Sequence, residues 1–165
     1  RNCDWSSDVC SSDLNRALAE DLGKDRYITM LLVRVDPVTR RMTYASAGHP
    51  EAVLYGPDGA ARASLRRTGP PLGRRPGAVY ASSEERLLER GETLLLVTDG
   101  IDEALDVSGM ECFGMERAGA VVKDCVDRPP AELVQRLLEA VRAHAAPNTP
   151  ADDLTTLVMR VTAGA

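Results

Sequence analysis

The chain has 165 residues, 44% hydrophobic and 27% charged, with a formal net charge of −5. That size suits one ordinary domain rather than two, and the acidic balance argues against a nucleic-acid surface, because the basic residues of 62–75 are broken by Gly and Pro and carry no interleaved aromatics. No apolar run reaches the ~20 residues a membrane helix needs, and no basic stretch followed by an apolar one reads as a signal peptide, so the expectation is a cytoplasmic protein.

The first fourteen residues, RNCDWSSDVCSSDL, match nothing downstream in composition. They show neither a helical nor a strand period. Back-translated, residues 4–14 resemble a sequencing-library adapter over eleven consecutive residues. The expected organisation is therefore a non-native adapter-like tail at 1–14, followed at 15–165 by the C-terminal part of one domain. On that reading Cys3, Trp5 and Cys10 belong to no site. Cys112 and Cys125 lack the spacing of a zinc knuckle and read as reduced thiols.

From Asn15 onward the elements follow one another closely. Residues 15–22 are helix-like, with Gly23 as a stop, and fit the last turns of a longer helix. Apolar runs predict strands at 27–35 and 42–47, joined as a hairpin by the turn DPVTR. A third strand is expected at 52–55 and, after the turn GPDG, a fourth at 60–65. Residues 66–77 form a Gly/Pro loop, and 79–89 read as one or two short strands. The run TLLLVT at 93–98 is a buried strand. Apolar residues at helical spacing mark 114–126. A clearer helix runs from Pro129-Pro130 to His144, with Leu133, Leu137, Val141 and Ala145 on one face. A last strand covers 154–161. Short antiparallel-type strands, then two helices, then one strand make an α+β pattern.

The chemistry sits at two strand ends. TLLLVTDGIDEAL places Asp99, Asp102 and Glu103 just past the most apolar strand; ADDLTTLVMRV places Asp152 and Asp153 just before another. Carboxylates far apart in sequence but both at strand ends are able to converge on a hard divalent cation, for which one or two carboxylates plus waters suffice. Gly100 lets the backbone approach closely. The competing local reading is equally simple: D-G is a turn dipeptide, and Asp152-Asp153 fits a solvated loop. Asp102 and Glu103 read as solvated or loop-bracing.

Taken together, YITMLLVRVDPVTRRMTYASAGHPEAVLY, GPPLG, GETLLLVTDGIDEA, CFGMERAGAVV and DDLTTLVMRV, in that order, resemble the metal-dependent PPM (PP2C-type) Ser/Thr phosphatases, and within them the bacterial SpoIIE and RsbU branch. The resemblance implies an antiparallel β-sandwich flanked by helices, with a binuclear Mn²⁺ or Mg²⁺ site. It puts metal ligands at Asp99 and Asp152, supported by Gly100 and Asp153, and names no catalytic side chain. His49, in AGHP, reads as turn-bracing and His144 as structural. The resemblance implies hydrolysis of phosphoserine or phosphothreonine on a regulatory protein, such as an anti-sigma-factor antagonist. The family's early acidic blocks, G-D-x-x-D and D-x-x-G-H-G, are not found in this sequence, so the expectation is a partial metal site and little activity. The alternative is a non-catalytic, phosphatase-like binding or regulatory module. A phosphoaspartyl phosphatase would need D-x-D-x-T, and a kinase G-x-G-x-x-G and H-R-D; neither pattern occurs.

Overall fold

The computed structural model describes residues 7–23 and 26–162, the first five of them by backbone alone. Cys3, Trp5 and the side chain of Cys10 lie outside the described residues. The chain gathers into two compact units, Arg1–His49 with Leu65–Leu88, and Pro50–Ser64 with Glu89–Ala165.

The first unit holds helix α1 (Ser7–Asp21) and strands β1 (Met30–Val35), β2 (Arg41–Ala47) and β5 (Arg86–Leu87), in the sheet order β1-β2-β5. β1 and β2 form the expected hairpin, with Met30 opposite Ala47 and Val35 opposite Met42. Asp36 closes its turn, accepting the Val38 and Thr39 N–H groups at 2.8 and 3.0 Å. Those two bonds favour the charged carboxylate and hold Asp36 below its ordinary pKa. Helix α1 packs on β1 and β2.

Two elements of this unit differ from the sequence expectation. Helix α1 begins at Ser7, eight residues before Asn15. Residues 1–22 contain no Gly or Pro, so a helix carried by the packing of Asn15 and Leu18 extends backward without meeting a breaker. It ends near Gly23, whose φ of 70° leaves the right-handed helical region. The second difference lies at 79–89, where only the two residues of β5 become strand. Tyr80 turns into the core and is wholly buried, while Val79 is 77% exposed. Ser83 then follows β2 through single bonds, its N–H to the Tyr44 carbonyl at 2.8 Å and its Oγ accepting the Tyr44 N–H at 3.0 Å. A side-chain oxygen has replaced one rung of the ladder.

The second unit contains β3 (Ala52–Tyr55), β4 (Ala61–Leu65), β6 (Thr93–Val97), the short helix α2 (Asp99–Asp102), α3 (Gly114–Asp124), α4 (Pro130–Ala145) and β7 (Thr156–Arg160). The sheet order is β4-β3-β6-β7, and the β3–β6 and β6–β7 pairings are antiparallel. Alternation along the strands sends Val53, Tyr55, Leu95 and Val97 to one face. There they pack with Ile101, Phe113, Ala118 and Val122, and with Leu133, Leu137 and Val141 of α4. Pro130 opens α4, where a missing N–H costs nothing. Fully burying each of these Leu and Val side chains contributes about 1.5–3 kcal/mol before chain entropy is charged against it. This core fixes the ends of β6 and β7, and so positions the acids beyond them. The mixed helices and antiparallel sheets agree with the α+β class expected from the sequence.

Candidate metal centre

β6 ends at Val97, and Thr98 takes an extended conformation before the chain turns into α2. Residues 99–102 read as part of a loop from sequence. They form one helical turn because Ile101 must reach the core, where it is wholly buried, and its N–H reaches the Thr98 carbonyl at 3.0 Å. The Glu103 N–H closes the turn on the Asp99 carbonyl at 2.8 Å. Acidic residues in a first turn are favoured by the exposed N–H groups there.

Asp99 is the first residue of that turn and is exposed; its Oδ1 accepts the Gly100 N–H at 3.1 Å. Gly100 is buried. A Cβ built on it would sit 2.4 Å from the Asp153 carbonyl oxygen and 3.4 Å from the Asp152 carbonyl carbon. The two acid-bearing segments therefore meet backbone against backbone. Thr98 adds a second tie. Its Oγ1 lies 3.2 Å from the Asp153 carbonyl, to which it donates, and accepts the Thr155 N–H at 3.2 Å. The Thr98 N–H donates to the Thr155 carbonyl at 3.0 Å. Asp152 and Asp153 are both exposed, and Asp152 Oδ1 accepts the Asp153 N–H at 2.7 Å.

Asp99, Gly100 and Asp152 line one cleft of about 520 Å³. Asp153 is not among its lining residues and meets the site through its backbone. Glu103 and Asp106 also line the cleft, and no Lys, Arg or His does. The sequence reading did not single out Asp106 or Thr98. Thr98 was legible only as part of VTDG, and nothing local in DVSG sets Asp106 apart from any turn aspartate. Asp106 accepts the Ser108 hydroxyl at 2.8 Å and the Met110 and Glu111 N–H groups at 3.2 Å. The Ser108 hydroxyl and then the Glu111 N–H lead in holding its carboxyl down at about 2. Of the two histidines, His49 belongs to the first unit. His144 is structural: its ring meets Phe113 edge-on at 5.6 Å and its Nε2–H donates to the Glu111 carbonyl at 3.0 Å.

The cleft suits a hard divalent cation in its donor chemistry: carboxylate oxygens, no competing cationic side chain, and a glycine that leaves room for the facing backbone. Among the described residues, no three His, Cys, Asp or Glu side chains gather as a complete ligand set.

Helix-bearing antiparallel sheets with this connectivity are the fold of PP2C-type phosphatase domains. The phosphatase domain of the cell fate determinant SpoIIE from Bacillus subtilis, presoaked in Mn, aligns with 99% of this chain and 69% of its own, at a TM-score of 0.69 and 18% identity. The RsbU and RsbW domains of Rv1364c from Mycobacterium tuberculosis align with 98% of this chain and 44% of theirs, at 0.70 and 23%. In sequence, residues 6–162 match the family described as Stage II sporulation protein E (SpoIIE), and the chain belongs to that family. It is also similar to the phosphoserine phosphatase RsbU of Bacillus subtilis strain 168, 28% identical over 97 residues, which are 59% of this chain and 29% of RsbU. Among the described residues, no helix is long and apolar enough to cross a membrane.

Proposed function

We propose that this chain is part of a metal-dependent protein phosphatase that hydrolyses phosphoserine or phosphothreonine on a regulatory protein, an anti-sigma-factor antagonist being the substrate its motifs imply. Asp99 and Asp152 are the metal ligands in this reading, and Gly100 and Asp153 hold them in register. The observation that carries it is the seat of Gly100 on the Asp152–Asp153 backbone, within a cleft lined by acids and by no cation. The description of RsbU as a phosphoserine phosphatase supports the substrate class.

When bound, Mn²⁺ or Mg²⁺ would lower the pKa of a water and neutralise charge on a phosphoryl group. The protein's own part is positional. Thr98 pins the end of β6 to the start of β7, so the two carboxylates are presented from anchored strand ends. No side-chain nucleophile is required in this reading, and the one hydroxyl of the α2–α3 connection that lines the cleft, Ser108, donates to the Asp106 carboxylate. With fewer than three ligands gathered among the described residues, the chain on its own binds metal weakly and turns over slowly. The same observation favours the second reading, a non-catalytic phosphatase-like module.

Titrating Mn²⁺ against the protein, followed by water-proton relaxation, tests the ligands. Asp99→Asn and Asp152→Asn should each weaken binding by at least about tenfold. Unchanged affinity in both variants would remove the ligand assignment. Hydrolysis of p-nitrophenyl phosphate separates the two readings. Slow turnover abolished by Asp99→Asn supports the phosphatase, and none at saturating metal selects the module.

A further inference from the structure

The connection from α2 to α3 is ordered by polar bonds but shows apolar side chains to water. Leu105 bridges to Cys112 in antiparallel fashion. Inside that bridge the Asp106 N–H donates to the Glu111 carbonyl at 2.9 Å and the Gly109 N–H to the Asp106 carbonyl at 3.0 Å, while the Asp106 carboxylate gathers Ser108, Met110 and Glu111 as described above. The base is equally held. Arg117 donates to the Cys112 and Phe113 carbonyls at 3.0 Å and pairs with the Glu111 carboxylate. Phe113 is buried, and its N–H reaches the Ala104 carbonyl at 2.8 Å. Out of this frame project Leu105, Val107 and Met110, which are 46%, 60% and 86% exposed.

Single exposed apolar side chains are ordinary and call for no explanation. Three within six residues, on a loop stiffened from inside, two of them lining an acid-lined cleft, are a different matter. Leu105 and Val107 line the same cleft as Asp99 and Asp152. A turn needed only to join two helices would do so with polar side chains at its tip. A stiff apolar ledge loses little conformational freedom when something settles on it, so it is well suited to binding.

We propose that Leu105, Val107 and Met110 form an apolar rim that receives a hydrophobic side chain next to the phosphorylated serine of the protein substrate, and so select the substrate by its flanking residue. This rests on the phosphatase reading above. The rim makes no contribution to the phosphate itself. A small phosphoserine compound should be indifferent to it, whereas a phosphopeptide should not. The Asp106 carboxylate stays ionised down to about pH 2, so the frame under the rim is intact at neutral pH.

The test uses the full chain with excess Mg²⁺ and four probes: free O-phosphoserine, a phosphoserine peptide flanked by leucine, the same peptide flanked by glycine, and the leucine peptide without phosphate. Affinities come from fluorescence anisotropy for the peptides and from NMR titration for O-phosphoserine. The leucine phosphopeptide should bind about tenfold more tightly than the glycine one, the value of one well-buried apolar side chain, and should shift the amide resonances of 105–110. In Val107→Ser/Met110→Ser that preference should fall to about twofold or less, and in Met110→Ser, a side chain that does not line the cleft, it should fall with O-phosphoserine binding unchanged. Both side chains are exposed, and an unchanged amide spectrum elsewhere certifies the fold. Equal binding of the two phosphopeptides, or a preference that survives the double substitution, overturns the rim. So does a dephosphorylated leucine peptide that binds as well as the phosphorylated one, because the ledge would then act apart from the cleft. If no phosphoserine compound binds at all, the phosphatase reading fails, and the rim falls with it.

Discussion

Gly100 and Asp153 are in contact through their backbones, 53 positions apart in sequence. A Cβ at 100 would lie 2.4 Å from the Asp153 carbonyl oxygen, closer than any real Cβ contact. The atom in the way is main chain, fixed by the Thr98 hydroxyl, and cannot swing aside. Gly100→Ala should therefore cost about 1–3 kcal/mol, as overpacking does, and should part the two acidic segments. The expected result is a lower urea midpoint with an unchanged slope, and loss of Mn²⁺ binding in the relaxation titration. Gly77→Ala serves as the control: a Cβ there meets nothing within 4 Å, and stability should stay within about 0.5 kcal/mol.

Arg160 is the second brace of this unit. From β7 its Nε donates to the Thr93 hydroxyl at 2.8 Å. Its two Nη groups reach the Val126 and Cys125 carbonyls at 2.9 and 3.1 Å, and the Arg128 carbonyl as well. These carbonyls lie in the turn that follows α3, where the Cys125 carbonyl also accepts the Arg128 N–H at 3.0 Å. One planar guanidinium serves all of them, which an ammonium cannot do. Arg160→Met should lower stability by about 1–3 kcal/mol, and Arg160→Lys should recover less than half of the loss. Urea unfolding of both variants measures it.

How much of this was legible beforehand depends on where the signal resides. β3, β6 and α4 were readable because each carries its own period: the apolar run of 93–97 and the i, i+4 stripe of Leu133, Leu137 and Val141 are local patterns. Asp99 and Asp152 stood out as acids at strand ends, and their order among the five sequence blocks named the family. Other features depend on contacts from elsewhere in the chain. The turn at 99–102 exists because Ile101 is drawn into a core made by α3 and α4. The bulk of 79–89 fails to become strand because Tyr80 is pulled inward. Asp106 looks like any turn aspartate until its three partners are seen. That residues 15–22 end a longer helix is legible, but its start at Ser7 is not, because residues 7–14 have no apolar stripe and the helix there extends the packed turns after them.

Asn15 shows how a buried polar side chain can order a Gly/Pro loop. It is wholly buried. Its Nδ2 donates to the Arg75 and Pro76 carbonyls at 2.9 and 3.2 Å, and its Oδ1 accepts the Gly73 N–H at 2.9 Å and the Tyr80 hydroxyl at 3.2 Å. Every donor and acceptor position of consequence is used. Asn15→Ala leaves several buried groups unpartnered and should cost about 1–3 kcal/mol. Asn15→Asp is the sharper test. The carboxylate keeps the two accepted bonds but turns an oxygen toward the Arg75 and Pro76 carbonyls. It should destabilise at least as much as Ala at neutral pH. A thermal melt in which Asn15→Asp matches the native chain would show that the two donated bonds contribute nothing.

The Asp106 carboxyl titrates at about 2 in the folded chain, below the ~3.9 of an unperturbed aspartate. A depressed folded value means that the charged form is favoured by folding. The stabilisation is fully present above the unfolded pKa, and it is lost as pH falls through the folded one. The window is thus from about pH 4 down to about pH 2. Within it the 106–111 frame should loosen while the core of β3, β6 and α4 persists, because its Leu and Val side chains do not titrate. Asp106→Asn should bring the loosening to neutral pH: the amide keeps one acceptor oxygen where the carboxylate offered two, and it carries no charge to strengthen the bonds from Ser108, Met110 and Glu111. Amide exchange of Met110 and Glu111 is the measurement. In the native chain their protection should drop between pH 4 and 2, after correction for the intrinsic rate. In the variant it should already be low at pH 7. If the native residues stay equally protected at both ends of that range, the Asp106 carboxylate is not what holds the loop.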